Sequence, residues 1–472
     1  MPESRSLAAV VLAAGKGRRL RSSTPKVLHP VAGRPALWWV LQNARAARPS
    51  RIVIVVHHEA DEIRAAVESW DVSPRPVFVD EGAALGTGHA VLAAESAVGR
   101  AREVLVIGGD FDPIEPADVR RLMGVHRRTR SAASILTTEV PNPGSYARVV
   151  REGNRLLSIV EGSDAPAALR RRKEVSLLVF AFEREELFKA LPLVGRENSQ
   201  HEYYLNEVFP ILLDKGERVS AVQVDTGGAM GINSRGGLAR TTSVVRERIN
   251  ARHLANGVTL VDPATTYIDV DVRIGRDTIV HPMTFLSGET RIGSGAEIGP
   301  STRIADSRVG DGAVVQFSVA RGARVGKEAQ VGPYAHLRPG TVLRARSKAG
   351  AFVEVKGSDI GEGSKVPHLA YVGDTTIGRR ANIGAGAVTV NYDGYEKHRT
   401  VIGDEARVGS DTMLVAPVRV GRGAVTGAGS VITSDVPAGS LGIERSEQRV
   451  VKGYRRRRDA EAQARRKERG AR

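Results

Sequence analysis

The sequence predicts two different folds in one chain: an α/β domain with a parallel sheet, followed by an all-β left-handed parallel β-helix of hexapeptide repeats. In the first half, short apolar runs of strand length alternate with amphipathic stretches of helix length. In the second half, an aliphatic residue followed by glycine recurs at a nearly fixed spacing. At 472 residues, the chain is also longer than one hydrophobic core usually serves.

The α/β prediction rests on the order of the elements. The runs of strand length are Ala8–Ala14, Arg51–Val56, Val104–Ile107 and Ser134–Thr138. The stretches between them place apolar residues at helical spacing, as in Trp38–Ala47, Asp61–Ser69 and Asp118–His126. This alternation favours a parallel sheet that is covered by helices on both faces.

The β-helix prediction rests on aliphatic-glycine pairs that begin at Ile274-Gly275. Later pairs, such as Ile292-Gly293 and Ile298-Gly299, follow mostly in phase with a hexapeptide period. We expect three such hexads in each turn, with the aliphatic residue pointing inward and glycine at a corner where a Cβ would be hindered. The period is interrupted at 344–355 and at 388–400. We expect both segments to be loops that leave the solenoid, where binding groups often lie.

The change of pattern sets the expected domain limits. They are an α/β domain at 1–236, a linker helix at 237–256, the β-helix at 257–446 and a basic, disordered tail at 447–472. The net charge is +16, and the segment 452–472 contributes strongly, with ten Lys or Arg against three Asp or Glu. Such a tail is typical of a solvated extension. Because no basic and aromatic stripe accompanies it, we do not expect nucleic-acid binding.

Two absences narrow the class of protein. No apolar run approaches the ~20 residues of a membrane span, so we expect no membrane-spanning segment. The chain has no cysteine, which excludes disulfides and thiolate metal sites and fits a cytoplasmic protein.

A glycine-rich turn follows the first predicted strand. Leu12-Ala13-Ala14-Gly15-Lys16-Gly17 is followed by Arg19 and Lys26. Backbone N–H groups of such a turn can cradle phosphates, while the cations supply charge. These residues resemble the L-A-A-G-x-G-T-R-M…P-K signature of the sugar nucleotidyltransferases.

Further motifs carry the same resemblance: Leu85-Gly86-Thr87-Gly88-His89-Ala90, Gly109-Asp110, Glu202-Tyr203-Tyr204 and Gly231-Ile232-Asn233. It implies a Rossmann-like nucleotidyltransferase domain that transfers uridylyl from UTP to a sugar 1-phosphate. It also implies that Mg²⁺ is held by Asp110 and Asn233, whose oxygens are ligands this ion accepts. The nucleotide- and sugar-binding residues that it implies are Leu12, Ala13, Ala14, Gly15, Arg19, Lys26, Glu81, Gly86, Thr87, Ala147, Glu161 and Ser176.

The chain departs from the family pattern in the base and sugar pockets. Glu81 stands where the family has a glutamine that faces uracil, and an ionised Glu can only accept hydrogen bonds. The family's E-x-N-x-G becomes Glu174–Leu178, and its G-Y-G-R becomes Ser145–Arg148. We therefore expect weak uridylyl transfer with a reduced preference for UTP.

The repeat region carries its own motifs. They are Leu337-Arg338-Pro339-Gly340, Phe352–Lys356, Val366–Asp374, Asn382-Ile383-Gly384-Ala385-Gly386, Asn391-Tyr392-Asp393-Gly394 and Gly409-Ser410-Asp411-Thr412. Inside a hexapeptide solenoid, the pairing of N-I-G-A-G with N-Y-D-G resembles the GlmU family over roughly residues 7–450. Members of this family are bifunctional glucosamine-1-phosphate N-acetyltransferases and N-acetylglucosamine-1-phosphate uridylyltransferases.

The resemblance implies a second site in a homotrimer, with acetyl-CoA between neighbouring subunits. Glucosamine 1-phosphate would contact Arg338, Lys356, Tyr371 and Asn382. Acetyl-CoA would lie along Ala385, Asn391, Tyr392, Ser410, Ala428 and Arg445. An amine that attacks a thioester must lose a proton, and a neutral histidine suits this task near pH 7. We assign that role to His368, with Glu354 orienting its imidazole.

Three functions stay open at this point. The first is the bifunctional enzyme, acting on small-molecule substrates. The second is an acetyltransferase whose N-terminal domain only binds nucleotide or serves as a scaffold. The third is a non-enzymatic solenoid that binds an anionic polymer through its basic tail.

Overall fold

The computed structural model describes residues 6–153, 155–228 and 231–470. The chain divides into two compact units. The first unit ends at Val272 and also includes Leu286–Gly288, and the second comprises Arg273–Phe285 and Glu289–Arg472. Residues 257–272, which the sequence pattern groups with the β-helix, therefore cluster with the first unit.

Up to residue 256, the described part of the first unit contains a nine-stranded sheet and a separate two-stranded hairpin. In chain order the strands are β1 Leu7–Leu12, β2 Pro30–Val31, β3 Arg34–Pro35, β4 Arg51–Val56, β5 Val77–Asp80, β6 Glu103–Gly108, β7 Ala133–Glu139, β8 Arg148–Glu152, β9 Arg155–Val160, β10 Glu174–Glu183 and β11 Val219–Gln223. The main order is β11-β7-β10-β6-β1-β4-β5, β8 pairs with β9 and β10, and β2 with β3 forms the hairpin.

The predicted parallel sheet is confirmed for β1, β4, β5 and β6, which pair in parallel. The sheet as a whole is mixed, however, because β10 is antiparallel to both β6 and β7. The chain reaches β10 through the antiparallel β8–β9 hairpin and not through a crossover helix, so it enters the sheet from the other end. The central strands are rich in Val and Ile and are buried on both faces, as in Val10 and Val106.

The helices of the first unit are α1 Ala36–Ala46, α2 Ala60–Glu68, α3 Thr87–Ala93, α4 Glu95–Val98, α5 Pro116–Thr129, α6 Ala167–Arg170, α7 Arg184–Ala190, α8 Val208–Asp214 and α9 Arg235–Ala255. Short 3-10 turns occupy Arg18–Leu20, Lys26–Leu28, Leu191–Leu193, Leu205–Glu207 and Pro263–Thr265. The helix expected at 237–256 is α9, which begins earlier because the hydroxyl of Ser234 caps it by accepting from Gly237 N. In the described part of the chain, no helix has the length and apolar character that crossing a membrane requires.

From Thr259 onward, the described strands form three parallel sheets, which we call faces 1, 2 and 3. Face 1 comprises Thr259–Leu260, Ile279–Val280, Glu297–Ile298, Val314–Val315, Gln330–Val331, Lys348–Ala351, Lys365–His368, Asn382–Ile383, Arg407–Val408, Val425–Thr426 and Leu441–Gly442. Face 2 comprises Thr266–Ile268, Thr284–Ser287, Arg303–Ala305, Val319–Arg321, His336–Leu337, Glu354–Lys356, Tyr371–Gly373, Val388–Val390, Met413–Val415 and Val431–Ile432. Face 3 comprises Arg273–Ile274, Arg291–Ile292, Arg308–Val309, Arg324–Val325, Val342–Leu343, Asp359–Ile360, Thr375–Ile377, Thr400–Ile402 and Val418–Val420.

The register of face 3 gives the length of a coil. Arg273 pairs with Arg291, Arg291 with Arg308, and Arg308 with Arg324, so a coil spans three hexads or slightly less. The aliphatic member of each repeat points inward, and Ile298 is fully buried. A Cβ on Gly293 would collide with Asp311 of the next coil, which explains the glycine at this corner. These parallel sheets and their repeats agree with the left-handed β-helix that the sequence predicts.

The prediction that residues 344–355 leave the solenoid as a loop is wrong. Residues 344–355 stay within regular coils, because Gln330 pairs with Lys348 and His336 with Glu354, each exactly one three-hexad coil further on. Ala349 fills the buried inward position there, so the repeat continues without its usual aliphatic residue.

The other expected loop is confirmed. Thr375 pairs with Thr400, so this coil is longer than the regular ones, and residues 391–399 leave it between strands Val388–Val390 and Thr400–Ile402. We call residues 391–399 the extruded loop.

Residues Tyr454–Gly470 form a helix, α10, where the sequence analysis expected a disordered tail. The segment is rich in Arg and Ala, which have high helix propensity. Arg455 pairs with Asp459 and Arg458 with Glu461 at helical spacing. The side chains described in this helix are exposed to solvent.

Candidate active sites

A cavity of about 520 Å³ opens beside the carboxyl ends of β1, β5 and β6 in the first unit. The predicted residues that line it are Leu12, Ala14, Gly15, Lys26, Glu81, Gly86, Thr87 and Asp110, and Ala13 lies buried just behind. Carboxyl ends of parallel strands meet at one edge of a sheet, which brings these separate motifs together. Gly86 has φ +115°, and a Cβ there would lie 2.7 Å from the Tyr203 carbonyl oxygen, so the turn requires glycine.

The two predicted metal ligands converge on one cationic atom. Lys26 Nζ donates to Asp110 Oδ2 at 3.0 Å and to Asn233 Oδ1 at 2.6 Å. Burial would raise the pKa of Asp110, but the charge and hydrogen bond of Lys26 outweigh it and hold that pKa below its usual range. A carboxylate oxygen and an amide oxygen aimed at the same cation are a donor set that fits Mg²⁺.

A second cavity of about 330 Å³ in the first unit is lined by Arg19, Tyr146 and Asn233 together with parts of 140–145 and 228–240. Asn233 Nδ2 donates to the Tyr146 hydroxyl at 3.2 Å, and that hydroxyl donates to the Gly231 carbonyl at 3.3 Å. Gly231 N in turn donates to Asp112 Oδ1 at 2.7 Å. The sequence analysis assigned no role to Asp112, although a second carboxylate two positions after Asp110 was a visible signal.

The altered base-pocket residue, Glu81, is almost buried, with 8% of its surface exposed. Burial raises the pKa of this carboxyl, the charge of His57 opposes the rise, and Asp80 and Glu202 add to it. The structure thus favours a neutral Glu81 more than the sequence alone indicates, and a neutral carboxyl can both donate and accept a hydrogen bond.

The altered sugar-pocket residues divide into two groups. Leu178 lines the 520 Å³ cavity, whereas Leu177 is fully buried and adds no bulk to it. Ser176 is buried beside Ala147, since Ser176 N donates to the Ala147 carbonyl at 2.9 Å. Neither residue lines that cavity, and Glu161 does not line it either.

Glu161 is instead held by Asn206, whose Nδ2 donates to Glu161 Oε1 at 2.6 Å. Burial raises the pKa of Glu161, and the hydrogen bond from Asn206 opposes that rise. This carboxyl is therefore fixed in place by its neighbour.

In the second unit, Arg338 and Glu354 lie on adjacent coils of face 2. Arg338 Nη1 donates to Glu354 Oε1 at 3.0 Å. Among the described residues, no hydrogen bond joins the His368 imidazole to the Glu354 carboxylate within this chain, so the orienting role of Glu354 stays a prediction. His368 ends a face 1 strand and pairs with Ala351, which precedes Glu354 by one corner, so the two side chains belong to different faces.

A cluster at the next corner joins two predicted residues through Asp374. Lys356 Nζ donates to Asp374 Oδ2 at 3.0 Å, and Asn391 Nδ2 donates to the same oxygen at 2.5 Å. The hydrogen bond to Asp374 raises the pKa of Lys356. The sequence analysis included Asp374 in a motif but gave it no role.

Asn382 is not brought together with the other predicted sugar-phosphate residues. Its strand belongs to face 1 and pairs with Lys365, while Arg338, Lys356 and Tyr371 belong to face 2 or its edge. A single chain therefore presents these residues on two faces.

Four of the residues predicted along acetyl-CoA, Ala385, Ser410, Ala428 and Arg445, form a column at one corner of the β-helix. Gly386 N donates to the His368 carbonyl, Asp411 N to that of Ala385, and Gly429 N to that of Ser410. Arg445 Nη1 donates to the Ala428 carbonyl at 3.1 Å. His368, Ala385, Ser410 and Ala428 thus lie on successive coils, and a column of this kind suits a long ligand that follows the axis.

The extruded loop carries Tyr392, which is 58% exposed and donates its hydroxyl to the Gly394 carbonyl at 2.7 Å. Asp393 braces the loop, since its Oδ1 accepts from Tyr395 N and Glu396 N. These backbone bonds, together with His398, hold the pKa of Asp393 far below its usual range.

Apolar side chains are exposed at the corner that His368 occupies. The rings of Phe317 and Tyr334 lie 5.8 Å apart, those of Tyr334 and Phe352 lie 5.1 Å apart, and Leu369 follows His368 directly. Tyr334, Phe352 and Leu369 are more than half exposed. We call Phe317, Tyr334, Phe352 and Leu369 the apolar column.

Comparison with known proteins matches both halves of the chain. Residues 9–178 match the MobA-like NTP transferase domain, and residues 399–434 match the bacterial transferase hexapeptide with six repeats. The chain is 47% identical to bifunctional protein GlmU of Streptomyces avermitilis and 46% identical to that of Streptomyces coelicolor, covering 96% of this chain and 95% of each relative. It is 45% identical to bifunctional protein GlmU of Mycobacterium tuberculosis, covering 95% of this chain and 92% of that protein. The chain therefore belongs to the GlmU family of bifunctional proteins.

Proposed function

We propose that the chain makes UDP-N-acetylglucosamine in two steps. The β-helix transfers acetyl from acetyl-CoA to glucosamine 1-phosphate. The first unit then transfers uridylyl from UTP to N-acetylglucosamine 1-phosphate and releases pyrophosphate. The observation that carries the proposal is that one chain holds two separate clusters of a lysine and an aspartate at predicted site residues, Lys26 with Asp110 and Lys356 with Asp374.

In the first unit, the residues bind and align two anions. The backbone of the turn at Gly15, together with Lys26 and Arg19, would face the triphosphate. Asp110 and Asn233 would hold Mg²⁺, which when bound neutralises phosphate charge. A phosphate oxygen of the sugar attacks the α-phosphorus of UTP, and the bond from that phosphorus to pyrophosphate breaks. Alignment and charge neutralisation are the main contributions that such a reaction needs from a protein.

In the second unit, Arg338 and Lys356 would bind the phosphate of the sugar. Glu354 and Asp374 hold these two cations, at 3.0 Å each, and so position them for the substrate. His368 takes a proton from the amine as its nitrogen attacks the thioester carbonyl. The bond from carbonyl carbon to sulfur then breaks and CoA leaves as the thiol or thiolate.

We also propose that the chain works as a homotrimer with a site shared between subunits. Asn382 belongs to another face than Arg338 and Tyr371, so a neighbouring subunit could supply it. The apolar column beside His368 supports the same idea, because exposed apolar surface of this kind commonly marks an interface.

The second candidate function, an acetyltransferase whose first unit only binds nucleotide, is favoured by Leu178. This side chain lines the cavity where the family pattern has glycine. Measuring each half-reaction separately on the purified chain decides between the two functions. The bifunctional proposal expects acetyl transfer that persists in EDTA and uridylyl transfer that needs Mg²⁺. Nucleotide binding without any uridylyl transfer would establish the second function.

The altered residue Glu81 predicts a pH dependence of uridylyl transfer. Its raised pKa keeps a neutral, donating carboxyl present to higher pH than usual, and this form is lost as pH rises through that pKa. The KM for UTP should therefore increase with rising pH. Glu81→Gln should remove this dependence and lower KM by about 10-fold at alkaline pH, since an unmade buried hydrogen bond costs roughly 1–3 kcal/mol. Steady-state kinetics across about pH 5 to 8, where folded proteins tend to be most stable, measure both effects.

Glu68→Gln serves as the matched control, because Glu68 ends α2 outside this cavity. A wild-type KM that is independent of pH, with strict preference for UTP, would show that Glu81 does not face the base.

A further inference from the structure

We infer that Tyr146 is a positioning residue that fixes which atom of the Asn233 amide faces the metal. The inference rests on the proposed metal pair of Asp110 and Asn233. It concerns a side chain to which neither of the two proposed reactions assigns a role.

The argument begins with the two ends of the Asn233 amide. Its oxygen accepts from Lys26 Nζ at 2.6 Å, and its nitrogen donates to the Tyr146 hydroxyl at 3.2 Å. The oxygen and nitrogen of an amide are nearly equal in size, so hydrogen-bond partners decide how the group is oriented. Only the oxygen can bind a metal ion of this kind.

The Tyr146 hydroxyl distinguishes the two orientations because it has a single proton. That proton is donated to the Gly231 carbonyl at 3.3 Å. The hydroxyl oxygen is then left to accept, and only the NH₂ end of Asn233 can donate to it. In the flipped orientation, an amide oxygen would face the lone pairs of the hydroxyl, and an NH₂ group would face the ammonium of Lys26.

Hydrogen bonds also fix the backbone next to Asn233. Ile232 N donates to the Asp110 carbonyl at 2.7 Å, and Gly231 N donates to Asp112 Oδ1 at 2.7 Å. The segment 231–233 is therefore tied to the segment that carries Asp110. With its position fixed in this way, the remaining freedom of Asn233 is the rotation of its amide, and Tyr146 restricts that rotation.

The inference predicts that Tyr146→Phe weakens metal binding by about 10- to 100-fold, the usual effect of losing a partner that orients a ligand. The variant keeps the ring and loses only the hydroxyl. Binding is measured on the full chain as the loss of the free Mn²⁺ signal in electron paramagnetic resonance. The Mg²⁺ concentration that gives half-maximal uridylyl transfer should rise in parallel.

A second pair of variants separates positioning from a general structural role. In Asn233→Asp the two oxygens are equivalent, so rotation of the group no longer exchanges a ligand for a non-ligand. Adding Tyr146→Phe to Asn233→Asp should then leave Mn²⁺ affinity at the value of Asn233→Asp alone. Tyr267→Phe is the matched control, because Tyr267 belongs to the first unit and lines neither cavity.

The outcomes are distinct. If Tyr146→Phe binds Mn²⁺ like the wild type, or weakens Asn233→Asp as much as it weakens the wild type, the inference is overturned. If the wild type itself does not bind Mn²⁺, the metal pair of the proposed function fails, and the inference fails with it. Unchanged far-UV circular dichroism of each variant reports that the first unit, which carries Tyr146 and Asn233, is still folded.

Discussion

His368→Ala should lower the rate of acetyl transfer by about 10²- to 10⁴-fold, which is the usual contribution of a general base. The side chain is exposed, and the inward residues of the repeat core do not include it, so the fold should persist. Transfer from acetyl-CoA to glucosamine 1-phosphate is measured by the release of CoA thiol. Sedimentation velocity should show the same oligomeric state as the wild type.

His336→Ala is the matched control for this experiment. His336 is an exposed histidine on face 2 of the same β-helix and has no assigned role. Near-normal acetylation by His368→Ala at every pH would remove His368 from its proposed role. A smaller oligomer than the wild type in His368→Ala alone would assign His368 to assembly instead.

Asp110→Ala should lower uridylyl transfer by about 100-fold or more. A bound metal contributes several kcal/mol of charge stabilisation, and each 1.36 kcal/mol corresponds to about tenfold in rate. The change removes one proposed ligand and leaves the Lys26 ammonium without the carboxylate that now lies 3.0 Å away. Release of pyrophosphate at several Mg²⁺ concentrations gives both the rate and the metal requirement.

Acetyl transfer by Asp110→Ala should be unchanged, because the second unit carries that site. Asp71→Ala, at an exposed aspartate outside the 520 Å³ cavity, is the matched control. A variant that keeps its rate and its response to Mg²⁺ would exclude Asp110 as a metal ligand.

The periodicity of the sequence predicted the β-helix well because each coil is built from local repeats. Inward residues such as Ile298 and corner glycines such as Gly293 follow from spacing alone. The loop expected at 344–355 was wrong because Ala349 can occupy an inward position without the aliphatic signature. Periodicity detects the commonest residue at a position and not the full range that the position accepts.

The mixed character of the first sheet could not be read from the sequence. Strand β10 is apolar and largely buried, as is the parallel strand β6, and its direction depends on the long connection through β8 and β9. Strand direction is therefore a property of the connection and not of the strand.

For the candidate sites, motifs located the residues and the structure supplied their partners. Asp110, Asn233 and Lys26 converge as the motifs indicated. The pairing of Glu354 with Arg338 and the roles of Tyr146 could not be predicted, because they depend on which side chains different coils and loops bring within 3.3 Å. Hydrogen-bond partners that are distant in sequence leave no periodic signal.

The extruded loop has a consequence for how such a protein can diversify. In a solenoid each coil contacts only its neighbours, so its stability is approximately a sum of coil terms and interface terms. Thr400 still pairs with Thr375 before it and with Val418 after it, although the coil between Thr375 and Thr400 is longer than its neighbours. The entropy cost of a longer loop grows only with the logarithm of its length. The length and composition of residues 391–399 can therefore change while the strands on either side of the loop keep their pairing register. Ligand preference can thus diverge in this segment without any change in the coils of the β-helix.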